Sequence, residues 1–363
     1  MSLDLAASGA DRLAVTVVVC AYTARRWDST RAALESALAQ SPPPAQVLLV
    51  IDHNAELADR ARRALRGASQ GASRGAWQGA PDGVPHGVEV LESDGPPGLS
   101  GARNTGLKAA TQPVTVFLDD DAEARPGWLA ALVEPYRSGS IVATGGNVAP
   151  RWPGTRPAWL PTEFDWVVGC SYTGLPAGGG PVRNPIGANM SMQTQLALKA
   201  GGFDESVGRV GTRPTGCEET ELSIRLTAEQ PGSVIYYVPD ATVDHQVTPE
   251  RIKLSYFLRR CWHEGLSKAS VVRLAGASAG LERERRQVAV VIPMSIAREL
   301  GRLLGGDAGA LLRVGATVTG LAATASGYLA GRVRYGIGVT AAKPRNLGQS
   351  GEDAGKVTHV THV

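Results

Sequence analysis

Six acid or imidazole side chains stand where chemistry is easiest to build. Asp119, Asp120 and Asp121 are consecutive, at the end of the apolar run "PVTVFLDDD". Glu218 and Glu219 open the amphipathic stretch "GCEETELSIRL", and His245 follows "SVIYYVPDATV". An extended backbone alternates its side chains, so Asp119 and Asp121 point one way and Asp120 the other. Two converging carboxylates suit one hard divalent cation, with water or phosphate oxygens in its remaining positions. That cation would relieve the repulsion among the acids, which are left partly uncompensated without it. An acidic turn left in water is the plain alternative, and the triplet alone does not choose between the two.

For Glu218 and Glu219 the plain reading is a favourable place in a first helical turn. The chemical reading is a general base held at a rigid helix start. His245 counts as a metal ligand only in company with the aspartates, because a lone histidine is more often a satisfied surface or core residue. Upstream, "PPGLSGARNTGL" supplies glycines that let backbone approach a ligand, followed by Arg103 and Asn104 where a helix starts. No GK[ST] occurs, nor GxGxxG after the first strand, which disfavours an ATPase or an NAD enzyme.

The elements needed to position these groups are legible. "LAVTVVVCAY", "AQVLLVIDHN", "GVEVLES" and "PVTVFLDDD" read as strands, and "STRAALESALAQ" and "AELADRARRAL" as helices between them. Alternation of this kind predicts an α/β chain with a doubly wound, mostly parallel sheet. Ligands of such sheets lie beyond the carboxyl ends of the strands, where Tyr22, Asp52 and the aspartates fall. "RGASQGASRGAWQGAPDGVPHG" reads as a surface loop. "SIVATGGNVAP" reads as a further strand, and the chain turns mostly helical beyond Pro249, with one helical stretch from about Val288 to Arg334.

Length and composition set the frame. The chain has 363 residues, 43% hydrophobic and 20% charged, enough for a large core. Four cysteines without any CxxC pair predict neither a disulfide framework nor a zinc site. They fit a reducing cytoplasm, and the N-terminus lacks the basic-then-apolar pattern of a signal peptide. The net charge of +3 hides an excess of eleven positive charges over residues 251–345. A basic region of that size fits a solvated helix surface or an anionic partner such as a phospholipid surface. Nucleic acid is disfavoured, since no aromatic residues interleave with the basic ones as in a reading module. Val314 to Gly331 is uncharged and near spanning length, but its Gly, Ala and Thr predict a buried or interfacial helix rather than a transmembrane one.

In order, "VVVCAY", "VIDHN", "GLSGARNTGL", "FLDDDAEARPGWL", "NPIGANMSM", "GGFDE", "GCEETELSIRL" and "VDHQVTPERIKLSYFLRRCWHEGLSKA" resemble the family 2 glycosyltransferases of GT-A fold. These are inverting enzymes with nucleotide-sugar donors. The resemblance implies that Ala21, Tyr22 and Asp52 hold the base and ribose, with Arg103, Asn104, Asp120 and Asn189 also at the nucleotide sugar. It implies Mg²⁺ or Mn²⁺ on Asp119 and Asp121, completed by His245, and a catalytic base at Glu219 or Glu218, with Glu219 preferred. The family's acidic pair is usually Glu-Asp, and here it is Glu-Glu. "WLPTEFDWVVGCSYTG", "RNPIGANMSM" and "RRCWHEGLSKA" resemble a subgroup that includes enzymes adding glucuronic acid to a glucosyl dolichyl phosphate. The expected donor is a UDP-sugar, and the acceptor a saccharide or lipid-linked saccharide.

The expected organisation is a GT-A catalytic domain over 12–250, with a nucleotide-binding half at 12–125 and an acceptor half at 126–250. A basic helical region at 251–340 and a flexible tail at 341–363 follow. Peripheral contact with the inner face of the cell membrane and a homo-oligomer are both compatible with this. The rival expectations are a catalytically inactive nucleotide-sugar-binding subunit of a glycan assembly complex and a phosphatase-like hydrolase with an Asp nucleophile. Both acidic motifs are present, which speaks against the first. The lysine and further acidic loop that the second needs find no place. Trp152 and Trp159 are expected in the core, and Asn184 at the donor-sugar or acceptor pocket.

Overall fold

The computed structural model describes residues 13–69, 87–206, 216–275 and 287–334. Four strands, β1 (Val15–Ala21), β2 (Gln46–Ile51), β3 (Val88–Glu92) and β4 (Val114–Asp119), lie parallel in the order β3-β2-β1-β4. In β1, Val17, Val18 and Val19 are all fully buried. That is what a β-branched run without alternation requires, because helices cover both faces of a parallel strand. Helices α1 (Trp27–Leu38), α2 (Ala55–Ser69) and α4 (Trp128–Val133) pack on the face of Val17 and Val19. Helices α3 (Leu99–Ala109), α5 (Thr194–Lys199) and α6 (Glu218–Glu229) pack on the face of Val18. The sheet is therefore doubly wound, as expected.

Its second half is mixed. Five further strands are β5 (Ala122–Ala124), β6 (Ile141–Arg151), β7 (Gly180–Val182), β8 (Asn189–Gln193) and β9 (Val234–Gln246). β8 runs antiparallel to both β4 and β6, β6 and β9 are parallel, and β5 and β7 each pair antiparallel with β9. All nine form one curled sheet, with β4 and β9 delivering the acidic triplet and His245 to one region.

Local chemistry sets the helix starts. Asn54 Oδ1 accepts from Leu57 N at 3.0 Å and caps α2. The helix then continues through Gly67 to Ser69, four residues into the stretch expected to be loop; residues 70–86 lie outside the described residues, as do 341–363.

The helical stretch expected from about Val288 to Arg334 is present as two helices, α8 (Ile292–Leu304) and α9 (Gly309–Arg334), preceded by a π-helical turn at Gln287–Val291. Gly305 and Gly306, the latter at φ +93°, end α8. Helix α7 (Leu254–Ala275) packs along α9 with the two backbones nearly touching. A Cβ at Gly265 would stand 2.1 Å from Thr324 O, and one at Gly327 would stand 2.1 Å from Trp262 O. The small residues of the 314–331 stretch thus serve helix contact, and no described helix is long and apolar enough to cross a membrane. Phe164, Phe257, Cys261 and Ile292 join this helical region to the segment at Thr162–Val168, with Trp152 and Trp159 partly buried against them.

Candidate active site

Strand pairing gathers the first set of groups. β4 ends at Asp119, and Asp120 and Asp121 form the turn into β5. Because Ala122 of β5 sits opposite His245 of β9, the imidazole reaches the turn, and its Nε2 lies 3.2 Å from Asp121 Oδ1. Asp119, Asp121 and His245 each bring one ligand atom within 4.8 Å of the others. Asp120 stands outside that trio and accepts from Arg26 Nη1 at 3.0 Å.

Three guanidinium groups meet the three aspartates. Arg26 Nη1 is also 3.0 Å from Asp121 Oδ2, Arg251 Nη2 lies 3.8 Å from the same oxygen, and Arg103 Nη2 donates to Asp119 Oδ1 at 3.3 Å. The acids are not left uncompensated as the sequence suggested, because the fold supplies its own cations. The two buried aspartates nonetheless titrate apart. Burial and the neighbouring Asp121 charge push Asp120 up to about 7. Burial also disfavours ionised Asp121, but His245, Arg251 and Arg26 outweigh it and hold that carboxyl below the usual range.

The second set sits at the start of α6. Cys217 precedes it in the left-handed region, at φ 78°, which costs a residue with a Cβ about 1–2 kcal/mol. Glu218 is buried and accepts from Arg103 Nη1 at 3.0 Å, while Arg103 Nη2 also donates to Gly187 O at 3.0 Å. A Cβ at Gly187 would come 2.9 Å from that guanidinium, so the close approach requires glycine. Glu219 lacks such a partner. Burial and the adjacent Glu218 charge push its carboxyl up to about 8.

Two cavities flank these groups. One, of about 220 Å³, is lined by Ala21, Tyr22, Asp52, Gly98 and the three aspartates. The other, of about 320 Å³, is lined by Glu218, Glu219, Asn184, Trp166, Arg260 and Lys268 among others. Asp119, Leu99 and Arg251 line both, so the acids stand at the seam between them. Asp52 accepts from Gly98 N through both carboxylate oxygens, at 3.2 and 3.0 Å, which ties the strand end to the glycine loop.

Some residues named from the sequence have other work. Asn104 donates to Phe203 O at 2.9 Å and accepts from Phe203 N at 2.8 Å, and it lines neither cavity. Asn189 is fully buried, with Nδ2 on Asn147 O and Ala241 O and Oδ1 accepting from Trp128 Nε1 at 2.8 Å. Its hydrogen bonds join β6, β8, β9 and α4, and no face is left for a sugar. Gly101 and Gly106 admit neighbouring protein, against Pro96 O and Val18, rather than a ligand. Sequence reading gave no role to Arg26, which no quoted motif contains, nor to Arg251, Arg260 and Lys268, which lie unremarked within "VDHQVTPERIKLSYFLRRCWHEGLSKA".

The donor set suits a divalent cation. Two carboxylates and an imidazole converging within a few ångströms are the right chemistry.

Residues 16–198 match the family described as Glycosyl transferase family 2. Over 255 residues the chain is 33% identical to a glucosyl-dolichyl phosphate glucuronosyltransferase of Haloferax volcanii, covering 70% of this chain and 76% of that protein. A pre-mycofactocin glycosyltransferase of Mycobacterium tuberculosis is 27% identical over 218 residues, 60% of this chain and 44% of the relative. A mannosyltransferase from Pyrobaculum calidifontis, solved with GDP-Man and Mn²⁺, superposes with a TM-score of 0.54 at 19% identity, covering 88% of this chain and 87% of that one. The last likeness establishes the GT-A fold. The ordered motifs, the matched half of the chain and the archaeal relative agree, and the chain belongs to glycosyltransferase family 2.

Proposed function

We propose that the protein is an inverting, metal-dependent transferase moving a sugar from a nucleotide diphosphate sugar, a UDP-sugar in this reading, to a hydroxyl of a polyprenyl-phosphate-linked saccharide. The nucleotide occupies the smaller cavity, with Tyr22 beside the base and Asp52 at the ribose. Asp119, Asp121 and His245 hold Mn²⁺ or Mg²⁺. Bound there, the cation supplies charge stabilisation for the departing diphosphate, typically worth several kcal/mol. The imidazole favours Mn²⁺ over Mg²⁺, which prefers oxygen ligands.

The acceptor enters the larger cavity. Glu219 takes the proton of the attacking hydroxyl, and the hydroxyl oxygen bonds to the anomeric carbon. The bond to the diphosphate breaks on the opposite side, so one displacement inverts the configuration. Arg103 keeps Glu218 and Asp119 in register across the seam, and Arg26 and Arg251 stand ready to pair with the diphosphate. The observation that carries the reading is Asp119 at the meeting of two cavities, with Glu219 on the wall of the second. The glucuronosyltransferase relative and its dolichyl phosphate acceptor support the lipid-linked choice.

A thermal-shift screen of nucleotide sugars with and without Mn²⁺ tests it. A UDP-sugar that raises Tm only with the cation is the expected result, since a ligand bound by the folded state alone stabilises by mass action. A cation-independent shift, or none with any donor, overturns it.

A further inference from the structure

Helix α8 buries a polar pair and exposes several large apolar side chains. Ser295 and Glu299, 2% and 3% exposed, face the protein, where Glu299 accepts from Arg302 Nη1 at 2.8 Å and from Arg313 Nε at 2.6 Å. Next to them Arg298 Nη2 reaches the buried Glu163 at 2.8 Å. The solvent side presents Met294, Leu300 and Leu304, with Met294 68% and Leu304 91% exposed, and Leu303 stands at its margin. A helix that meets only water keeps its apolar side chains on the protein side. This one buries Ile292 beside the polar pair and leaves leucines in solvent. The outward apolar surface continues through Val288 and Val290 before the helix and Leu311 and Leu312 after it, all exposed. A patch of this extent marks an interface.

We propose that this face of α8 and the start of α9 lies in the headgroup layer of an anionic bilayer, parallel to its plane. Charge selects the occupant. Residues 287–334, which hold both helices, carry five arginines against two acids, and Arg302 and Arg334 are exposed. Such a region is drawn to anionic lipid, whereas two copies meeting here would bring like charge against like charge.

Continuity supports the same occupant. Val288 and Ile292 line the cavity that holds Glu219, while Val290 and Met294 on the same turns face outward. An isoprenoid chain held at the bilayer surface reaches the cavity along apolar side chains. With no described helix able to cross a membrane, attachment is in-plane. The use assigned to this face rests on the lipid-linked acceptor proposed above, but its contact with lipid does not.

The test is co-sedimentation of the full-length protein with vesicles of phosphatidylcholine containing about one third phosphatidylglycerol. The wild type pellets with them, less so with phosphatidylcholine alone or at high salt. Combining Met294→Ser, Leu300→Ser, Leu303→Ser and Leu304→Ser lowers the partition coefficient about ten-fold or more. Tm and the thermal-shift response to nucleotide sugars stay unchanged, and Leu304→Glu alone, at the most exposed position, gives a smaller loss in the same direction. Equal vesicle binding by the wild type and both variants overturns the proposal, as does a wild type that stays in the supernatant. So does sedimentation velocity showing a lipid-free dimer that the serine variant abolishes, since the second copy is then the occupant. Vesicle binding needs neither donor nor acceptor, so this result and that of the donor screen fail separately.

Discussion

Arg103 Nη1 donates to Glu218 Oε1 across 3.0 Å inside the protein. That contact occupies Glu218 Oε1, the side of the carboxylate that would otherwise meet an acceptor. That leaves Glu219, which has no such partner, as the base. Glu219→Gln is expected to retain cation-dependent donor binding and to lose transfer by on the order of 10²–10⁴ in kcat. Comparing kcat of Glu218→Gln and Glu219→Gln decides the assignment; an active Glu219→Gln beside a dead Glu218→Gln reverses it.

The raised carboxyl of Glu219 sets a pH dependence. As a base it must be ionised, so kcat/KM rises with pH through about 8, and this limb is absent from the residual activity of Glu219→Gln. Stability runs the other way. A carboxyl whose folded value exceeds its unfolded one is neutral in both states at low pH, and burying its charge costs stability as pH rises from about 4.5 to about 8. Melting curves at pH 5 and pH 8 are expected to show Glu219→Gln gaining on wild type by on the order of 2–5 °C at the higher pH.

Asp121→Asn keeps the shape of the turn and removes the charge shared by His245, Arg26 and Arg251. Transfer is expected to fall by on the order of 10³ or more while the protein stays folded. A chelator does the same to wild type, and added Mn²⁺ or Mg²⁺ restores it. Ordinary turnover by Asp121→Asn, measured alongside circular dichroism, removes the cation from the mechanism.

Asn189→Ala separates structure from binding. The change strands Trp128 Nε1 and two buried carbonyls, each worth about 1–3 kcal/mol when unpaired. Urea unfolding is expected to show a loss of several kcal/mol, with the donor KM of the folded fraction unchanged. A raised KM at wild-type stability returns Asn189 to the sugar pocket.

The acids stand out in the sequence and their counter-ions do not, and the reason is physical. Asp119, Asp121 and Glu219 lie at strand and helix ends, and such ends are visible as changes of hydrophobic period. Arg26 in the helical turn before α1 and Arg251 in the turn after β9 are brought to the triplet from 94 and 130 positions away by sheet pairing that no local pattern encodes. Asn189 misled for a related reason. In "NPIGANMSM" it looks like a polar group offered to a ligand, and only the crossing of three strands shows that its hydrogen bonds are consumed. The parallel half of the sheet was legible because both faces of its strands are apolar. Of the mixed half, "SIVATGGNVAP" and "SVIYYVPDATV" read as strands and are β6 and β9, but the short β5, β7 and β8 and the antiparallel pairing were not legible, since β8 reverses direction after a long irregular excursion.

Main chain lies against main chain where Gly265 and Gly327 bring α7 and α9 together. Helix α7 carries Arg260, Glu264 and Lys268 on the wall of the larger cavity, and α9 carries Leu321 and Thr324. The width of that chamber is therefore gauged by peptide thickness, a dimension that residue replacement elsewhere on either rod does not alter. One added methyl at either glycine prises the rods apart and moves both sets of lining groups at once.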